Sequence, residues 1–292
     1  MKNILIVGHK GQLGTDCMSV LGAEAVGLDL PEIDISDRFQ CLETLDEISP
    51  SVIVNCAAYT AVDACETDPA CWTVNADGPK HLAEWAATNG AFLVHVSTDY
   101  VFDGQKPLFQ SLEESDKPNP VSEYGRSKLA GEQAILESGA QAAILRTAWL
   151  YGTCGKNFLK TMLRLTLQNP DKKFKVVNDQ FGSPTWSYSL ARQIAAVIDE
   201  KAVGVFHSTS EGYCNWFDLA CAFLEEMGIS HNMIPCSSEE YPTPAKRPVN
   251  SILENSHAKQ LGINQFVDWK EELAQFVAEN REKLLNEASS ML

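Results

Sequence analysis

No run of about 18 uncharged apolar residues occurs in the 292-residue chain, so no membrane-spanning helix and no membrane partner are expected. Excess positive charge is also missing. Lys and Arg number 23 against 39 Asp and Glu, a net −16, which argues against a polyanion-binding surface and against nucleic acid as a partner. The nine cysteines, at positions 17, 41, 56, 65, 71, 154, 214, 221 and 236, include no Cys-x-x-Cys pair and no histidine at ligand spacing. Neither a zinc site nor a disulfide framework is expected, and the thiols read as dispersed and reduced. The first apolar run, Ile4-Leu5-Ile6-Val7, stops at Gly8-His9-Lys10, too short for the core of a signal peptide, so the protein reads as cytoplasmic. Disorder is excluded too, because 45% of the residues are apolar, and the length accommodates about two domains.

Short β-branched runs alternate with longer helical stretches through the first half. Strands are expected at 3–7, 25–28, 51–55, 91–96 and 142–146, with helices at 12–21, 37–48, 69–87 and 120–138. The strands are near-continuous apolar runs, the pattern of a sheet covered on both faces, and strand–helix repetition implies parallel pairing. The second half is less regular. Helices are expected at 157–168, 187–200, 215–227 and 269–286, strands at 174–177 and 203–208, and a proline-rich loop at 241–248. This is an α/β pattern with a first domain over 1–150 and a smaller, interleaved C-terminal domain over 151–292. Segments near 180–210 are expected to return to the first domain.

Directly after the first strand comes Gly8-His9-Lys10-Gly11-Gln12-Leu13-Gly14, and then a helix. Glycines there allow a tight turn, let backbone amides approach a pyrophosphate, and let helix and strand pack closely. The helix N-terminus adds roughly half a positive charge facing the phosphates. A glycine turn can also merely reverse the chain. Its setting sharpens the signal: a strand before, a helix after, and Asp29 at the end of the next strand, where a carboxylate suits an adenosine ribose. A dinucleotide is therefore expected. Asp29 disfavours a 2′-phosphate and Lys10 offsets that, so NADH and NADPH both stay open.

Of seven tyrosines, only Tyr124 has a lysine four residues on, at Lys128. Asn119-Pro120 offers an N-cap and a first-turn proline, and the i, i+4 spacing puts phenol and ammonium on one helical face. A neighbouring cation is expected to lower the phenol's pKa from about 10 and make it a proton donor–acceptor for carbonyl–alcohol chemistry. The same spacing also arises from an aromatic ring packed on a lysine stem. The third piece is Ser97-Thr98-Asp99, at the end of the fourth strand, where parallel sheets bind ligands. A hydroxyl there can hydrogen-bond a carbonyl oxygen, or simply cap the following turn. Together, in this order, the three pieces point to an oxidoreductase site.

These blocks, with residues 55–63, 97–104, 146–152, 179–185 and 241–248, resemble the dTDP-4-dehydrorhamnose reductase family of extended short-chain dehydrogenase/reductases nearly end to end. The resemblance implies a Rossmann-type doubly wound parallel sheet beside a substrate domain. It implies reduction of the 4-keto group of dTDP-4-dehydro-L-rhamnose by NADPH or NADH, with Thr98, Tyr124 and Lys128 catalytic. Coenzyme contacts are implied for Gly8, Gly11, Gln12, Leu13, Gly14, Asp29, Asp34, Ile35, Ala58, Tyr59, Thr60, Val96, Tyr124 and Lys128. Substrate contacts are implied for Thr98, Asp99, Trp149 and Arg247. A guanidinium suits a diphosphate, although a surface arginine or a packed tryptophan would read the same way in sequence. Members that bridge a dimer with magnesium use glutamates where this chain has Asp16 and Trp186-Ser187-Tyr188. No metal is therefore expected, and the protein reads as a monomer or weak homodimer. Two alternatives remain: a regulatory subunit resembling the methionine adenosyltransferase beta subunit, and a reductase of another nucleotide 4-ketosugar. A 4,6-dehydratase is disfavoured, because Tyr100 and not a second carboxylate follows Asp99.

Overall fold

Five apolar runs bounded by glycine or polar residues form strands in the computed structural model, which describes residues 3–290. They are β1 (Ile4–Val7), β2 (Ala25–Leu28), β3 (Val52–Asn55), β4 (Phe92–Thr98) and β5 (Gln141–Thr147). A sixth, Gly204–His207, pairs with β5, and the sheet order is Gly204–His207, β5, β4, β3, β1, β2, parallel throughout. Every residue of β1 and β3 is buried, because helices cover both faces. On one face, α1 (Gln12–Leu21) and the Ser187–Glu200 helix close over Ile4, Ile6, Val52 and Val94. On the other, α2 (Arg38–Ile48) and the helices Gly78–Asn89 and Glu123–Ser138 cover Leu5, Val7, Ile53 and Leu93.

The chain leaves β1 on one side for β2 and returns on the other for β3. The carboxyl ends of β1 and β3 therefore flank a crevice, the place where open parallel sheets take ligands. A second core gathers Leu163, Trp186, Phe223 and Phe276 among the helices Phe158–Gln168, Trp216–Glu226 and Trp269–Ser290. Three two-residue strands, Cys214–Asn215, Phe181–Gly182 and Asn250–Ser251, run between this core and the sheet's carboxyl edge.

Three expectations are corrected. The helix expected over 69–87 is interrupted: Ala70–Trp72 passes through a π-helical stretch, Thr73–Asp77, before Gly78–Asn89. Pro79 cannot donate a helical hydrogen bond, and the wider turn aims the Asn75 side chain inward at Tyr59. The Glu123–Ser138 helix starts later than Asn119-Pro120. Ser122 caps it by accepting the Gly125 N–H at 3.1 Å, while Asn119 donates to Asp103. Finally, Cys65 and Cys71 are paired as a disulfide, so not all nine thiols are reduced; the other seven are free. Two short helical turns, Ala64–Glu66 and Ala70–Trp72, bring these two together without any spacing motif. Among the described residues, no helix is long and apolar enough to cross a membrane.

Candidate active site

The glycine turn is built around two close approaches. Gly8 has φ +81°, and a Cβ there would lie 2.8 Å from the Ala57 N beyond β3. A Cβ on Gly14 would collide with the Gly8 carbonyl and His9 Cα, so α1 can pack this tightly on β1 only with glycine. Gly11 caps α1, and the first helical bond runs from Thr15 N–H to Gly11 O. The N–H groups of Gln12, Leu13 and Gly14 thus have no helical acceptor and open on the crevice, an arrangement that fits a pyrophosphate. Leu13 offers only its backbone there, because its side chain is buried in the core. Gln12 accepts a hydrogen bond from Asn157 at 2.8 Å, which ties α1 to the Phe158–Gln168 helix.

Asp29 lies just past β2 and accepts the Lys10 and Leu30 N–H groups at 3.0 and 2.9 Å. The Lys10 ammonium pairs with Glu32 at 3.4 Å. Asp34 accepts both the N–H and the hydroxyl of Ser36. The Ile35 side chain is buried against Gly78, and its carbonyl is hydrogen-bonded to His81. Ala58, Tyr59 and Thr60 follow β3. Here Asn75 holds both the N–H and the C=O of Tyr59, at 2.9 and 3.0 Å, and the Tyr59 hydroxyl donates to Asp68 at 2.7 Å.

Thr98 ends β4 and Tyr124 sits in the first turn of the Glu123–Ser138 helix, which brings the Thr98 hydroxyl beside the phenol. Thr98 also donates to Asp99 at 3.0 Å and accepts the Tyr100 N–H at 3.2 Å, so it caps the turn and faces the phenol at once. One turn further along the helix, Lys128 is 1% exposed. Its Nζ donates to the Val96 carbonyl at 2.7 Å and lies 3.3 Å from His95 Nε2. Burial lowers the lysine's pKa to about 8. Asp99 is pushed up to about 6 by burial, with the neighbouring Ser251 and Thr98 hydroxyls opposing.

The expected lowering of the Tyr124 pKa does not occur. Burial raises it, the Thr98 hydrogen bond opposes and the Asp99 charge adds, leaving it at about 12. Lys128 shares the helical face, but its Nζ is turned to Val96 and His95. Ser97 points away from the site. Its hydroxyl donates to Glu132 at 2.5 Å, inside a buried Arg146–Glu132 ion pair of 2.7 Å.

Trp149 holds a left-handed backbone, φ +48°, which is strained for a bulky residue and characteristic of functional sites. Its half-buried indole stacks on Trp216 at 3.7 Å and packs on Gly182. Arg247 is not a free surface arginine. Its fork grips Asp63 at 3.1 and 3.0 Å, which holds that carboxyl below its ordinary range, and Tyr100 is its other neighbour. The 241–248 loop is thereby clamped to the segment that follows β3. Sequence reasoning missed Asn55, Asp63, Asn75, His95 and Ser251. The first two stand in the 55–63 block; the others carry no local signal. Among the described residues, no group of three or more His, Cys, Asp or Glu is placed to hold a metal ion.

A dinucleotide cradle at the sheet's switch point, with a hydroxyl, a phenol and a buried amine beyond β4, defines an oxidoreductase of the extended short-chain dehydrogenase/reductase class. Comparison with known proteins narrows this. The family model described as RmlD substrate binding domain matches residues 1–282. A dTDP-4-dehydrorhamnose reductase of Burkholderia thailandensis is 38% identical over 289 residues, covering 91% of this chain and 95% of that protein. A dTDP-4-keto-6-deoxy-D-glucose reductase of Streptomyces niveus is 36% identical, covering 93% and 95%. The crystal structure of dTDP-4-dehydrorhamnose reductase from Bacillus anthracis in complex with NADP superposes with a TM-score of 0.91 at 37% identity, covering 96% of this chain and all of that one. The chain belongs to the dTDP-4-dehydrorhamnose reductase family.

Proposed function

We propose that the protein reduces the 4-keto group of dTDP-4-dehydro-L-rhamnose with NADPH, giving dTDP-L-rhamnose. The observation that carries this reading is the meeting of the Thr98 and Tyr124 hydroxyls at the end of β4, one helical turn from buried Lys128. The coenzyme supplies the hydride to C4. Thr98 hydrogen-bonds the substrate oxygen, and Tyr124 delivers the proton that converts the incipient alkoxide to an alcohol. Lys128, fixed by the Val96 carbonyl, orients the coenzyme's nicotinamide ribose.

In this reading the N–H groups of Gln12, Leu13 and Gly14 hold the pyrophosphate, with Gly11 capping the helix and Gly8 making room. Asp29, Asp34, Ile35, Ala58, Tyr59, Thr60 and Val96 line the rest of the coenzyme path. Asp99, Trp149 and Arg247 contact the nucleotide sugar. Residues 1–150 form the coenzyme domain and 151–292 mainly the substrate domain. The NADP held by the Bacillus anthracis relative supports NADPH over NADH.

The Streptomyces niveus relative favours a second substrate, a dTDP-4-keto-6-deoxy-D-glucose. Purified protein assayed with each sugar and NADPH separates the two, with the product's C4 configuration read by NMR. Faster turnover of dTDP-4-dehydro-L-rhamnose is expected. Preference for the glucose-derived ketone would replace the substrate assignment. Absence of NADPH oxidation with either sugar would reject the reductase reading in favour of a regulatory subunit.

A further inference from the structure

Next to the proposed catalytic lysine lies a fully buried imidazole that the reaction above does not use, His95 of β4. Asn55, at the end of β3, meets one side of the ring, with its Nδ2 3.0 Å from His95 Nδ1. The Ala57 N–H donates to Asn55 Oδ1 at 3.1 Å, and this fixes which way the amide points. The amide nitrogen therefore faces the ring, and it can only donate. His95 Nδ1 must accept. Burial holds the imidazole's pKa well below its ordinary value, so the ring is neutral. A neutral ring that accepts at Nδ1 carries its proton on Nε2. That N–H faces Lys128 Nζ, 3.3 Å away, and an ammonium has no lone pair to receive it.

We propose that His95 is a positioning residue that biases Lys128 toward the uncharged amine in the coenzyme-free protein, so that coenzyme binding takes up a proton at Lys128. The proposal rests on the reductase reading of this site. One proton passes from solvent to the amine, and no other bond changes. The remaining groups facing Nζ act in the opposite sense. Glu132, on the same helix, and Cys56, after β3, both favour the ammonium. The Glu132 charge is already engaged by Arg146 and Ser97, and Tyr124 on the same face is a neutral phenol.

Nitrogen NMR of ¹⁵N-histidine-labelled, coenzyme-free protein near pH 8.5 tests the first half, with the His95 signals assigned by their loss in His95→Phe. The Nε2–H tautomer is expected; an Nδ1–H tautomer or an imidazolium overturns the proposal. Calorimetry of NADPH binding at the same pH, in two buffers of different ionisation enthalpy, tests the second half. Uptake of more than about half a proton per site is expected from an amine that titrates at about 8. Asn55→Asp accepts from Nδ1–H and so turns the Nε2 lone pair toward Lys128; it should cut the uptake roughly threefold. Uptake that is absent in the wild type, or unchanged in the variant, overturns the coupling. The tautomer measurement needs no coenzyme, so its failure differs from failure of the reductase reading, which would appear as no NADPH turnover.

Discussion

Tyr124 keeps its proton to a pH of about 12, which suits a ketone reduction, because an alkoxide is a stronger base than a phenolate and takes the proton readily. The pH dependence of the enzyme then belongs to its neighbours, and Asp99 is the clearest case. Its folded-state pKa is raised from 3.8 to about 6, so the stability it contributes is present below about pH 4 and lost as pH rises through 6. Above 6 the buried carboxylate is a cost. Asp99→Asn is therefore expected to stabilise the protein by about 1–3 kcal/mol at pH 8, with no gain at pH 4. Urea unfolding at the two pH values checks this, and equal effects at both would contradict it.

At the scale of elements, α1 against β1 is the junction on which the proposed coenzyme site depends. Gly14→Ala places a methyl group against the Gly8 carbonyl. It is expected to cost about 1–3 kcal/mol by overpacking and to weaken NADPH binding together with stability. Thermal melting and a coenzyme titration should move together; a variant with wild-type melting and affinity would show that the close approach is not required. Asn75→Ala leaves the Tyr59 N–H and C=O without their side-chain partner, at about 1–3 kcal/mol for each group that water cannot reach. Hydrogen exchange should rise locally at Tyr59, and unchanged protection would contradict the clamp.

The central strands were legible because each is an apolar run ended by glycine or a polar residue. The helices 12–21 and 187–200 were legible at both ends, from Gly11 before the first and a clean apolar period in the second. The two-residue strands beside Trp149 were not, since two residues carry no period. The Asn55–His95–Lys128 network joins positions 40 and 33 residues apart, and a single histidine inside an apolar strand reads as ordinary core. The sign of the Tyr124 shift was missed for a related reason: spacing places a lysine on the right face but says nothing of where its Nζ is anchored.

At the scale of the whole molecule, the two cores are fastened across the site. The Ser187–Glu200 helix packs on α1, Gly204–His207 extends the sheet beside β5, and Arg247 clamps the proline-rich loop to Asp63. Lysine cannot reproduce the forked contact, so Arg247→Lys is expected to raise KM for the nucleotide sugar about tenfold with kcat changed far less. Steady-state kinetics at saturating NADPH measures the split. A fall confined to kcat would place Arg247 elsewhere in the reaction.

The proposed reduction turns on the Tyr124 phenol as the proton donor. Single-turnover oxidation of NADPH by dTDP-4-dehydro-L-rhamnose, in wild type and in Tyr124→Phe with coenzyme affinity measured on the same samples, tests it most directly. A slowing of about 10²–10⁴-fold with NADPH binding intact is expected; a rate within a few-fold of wild type would contradict it.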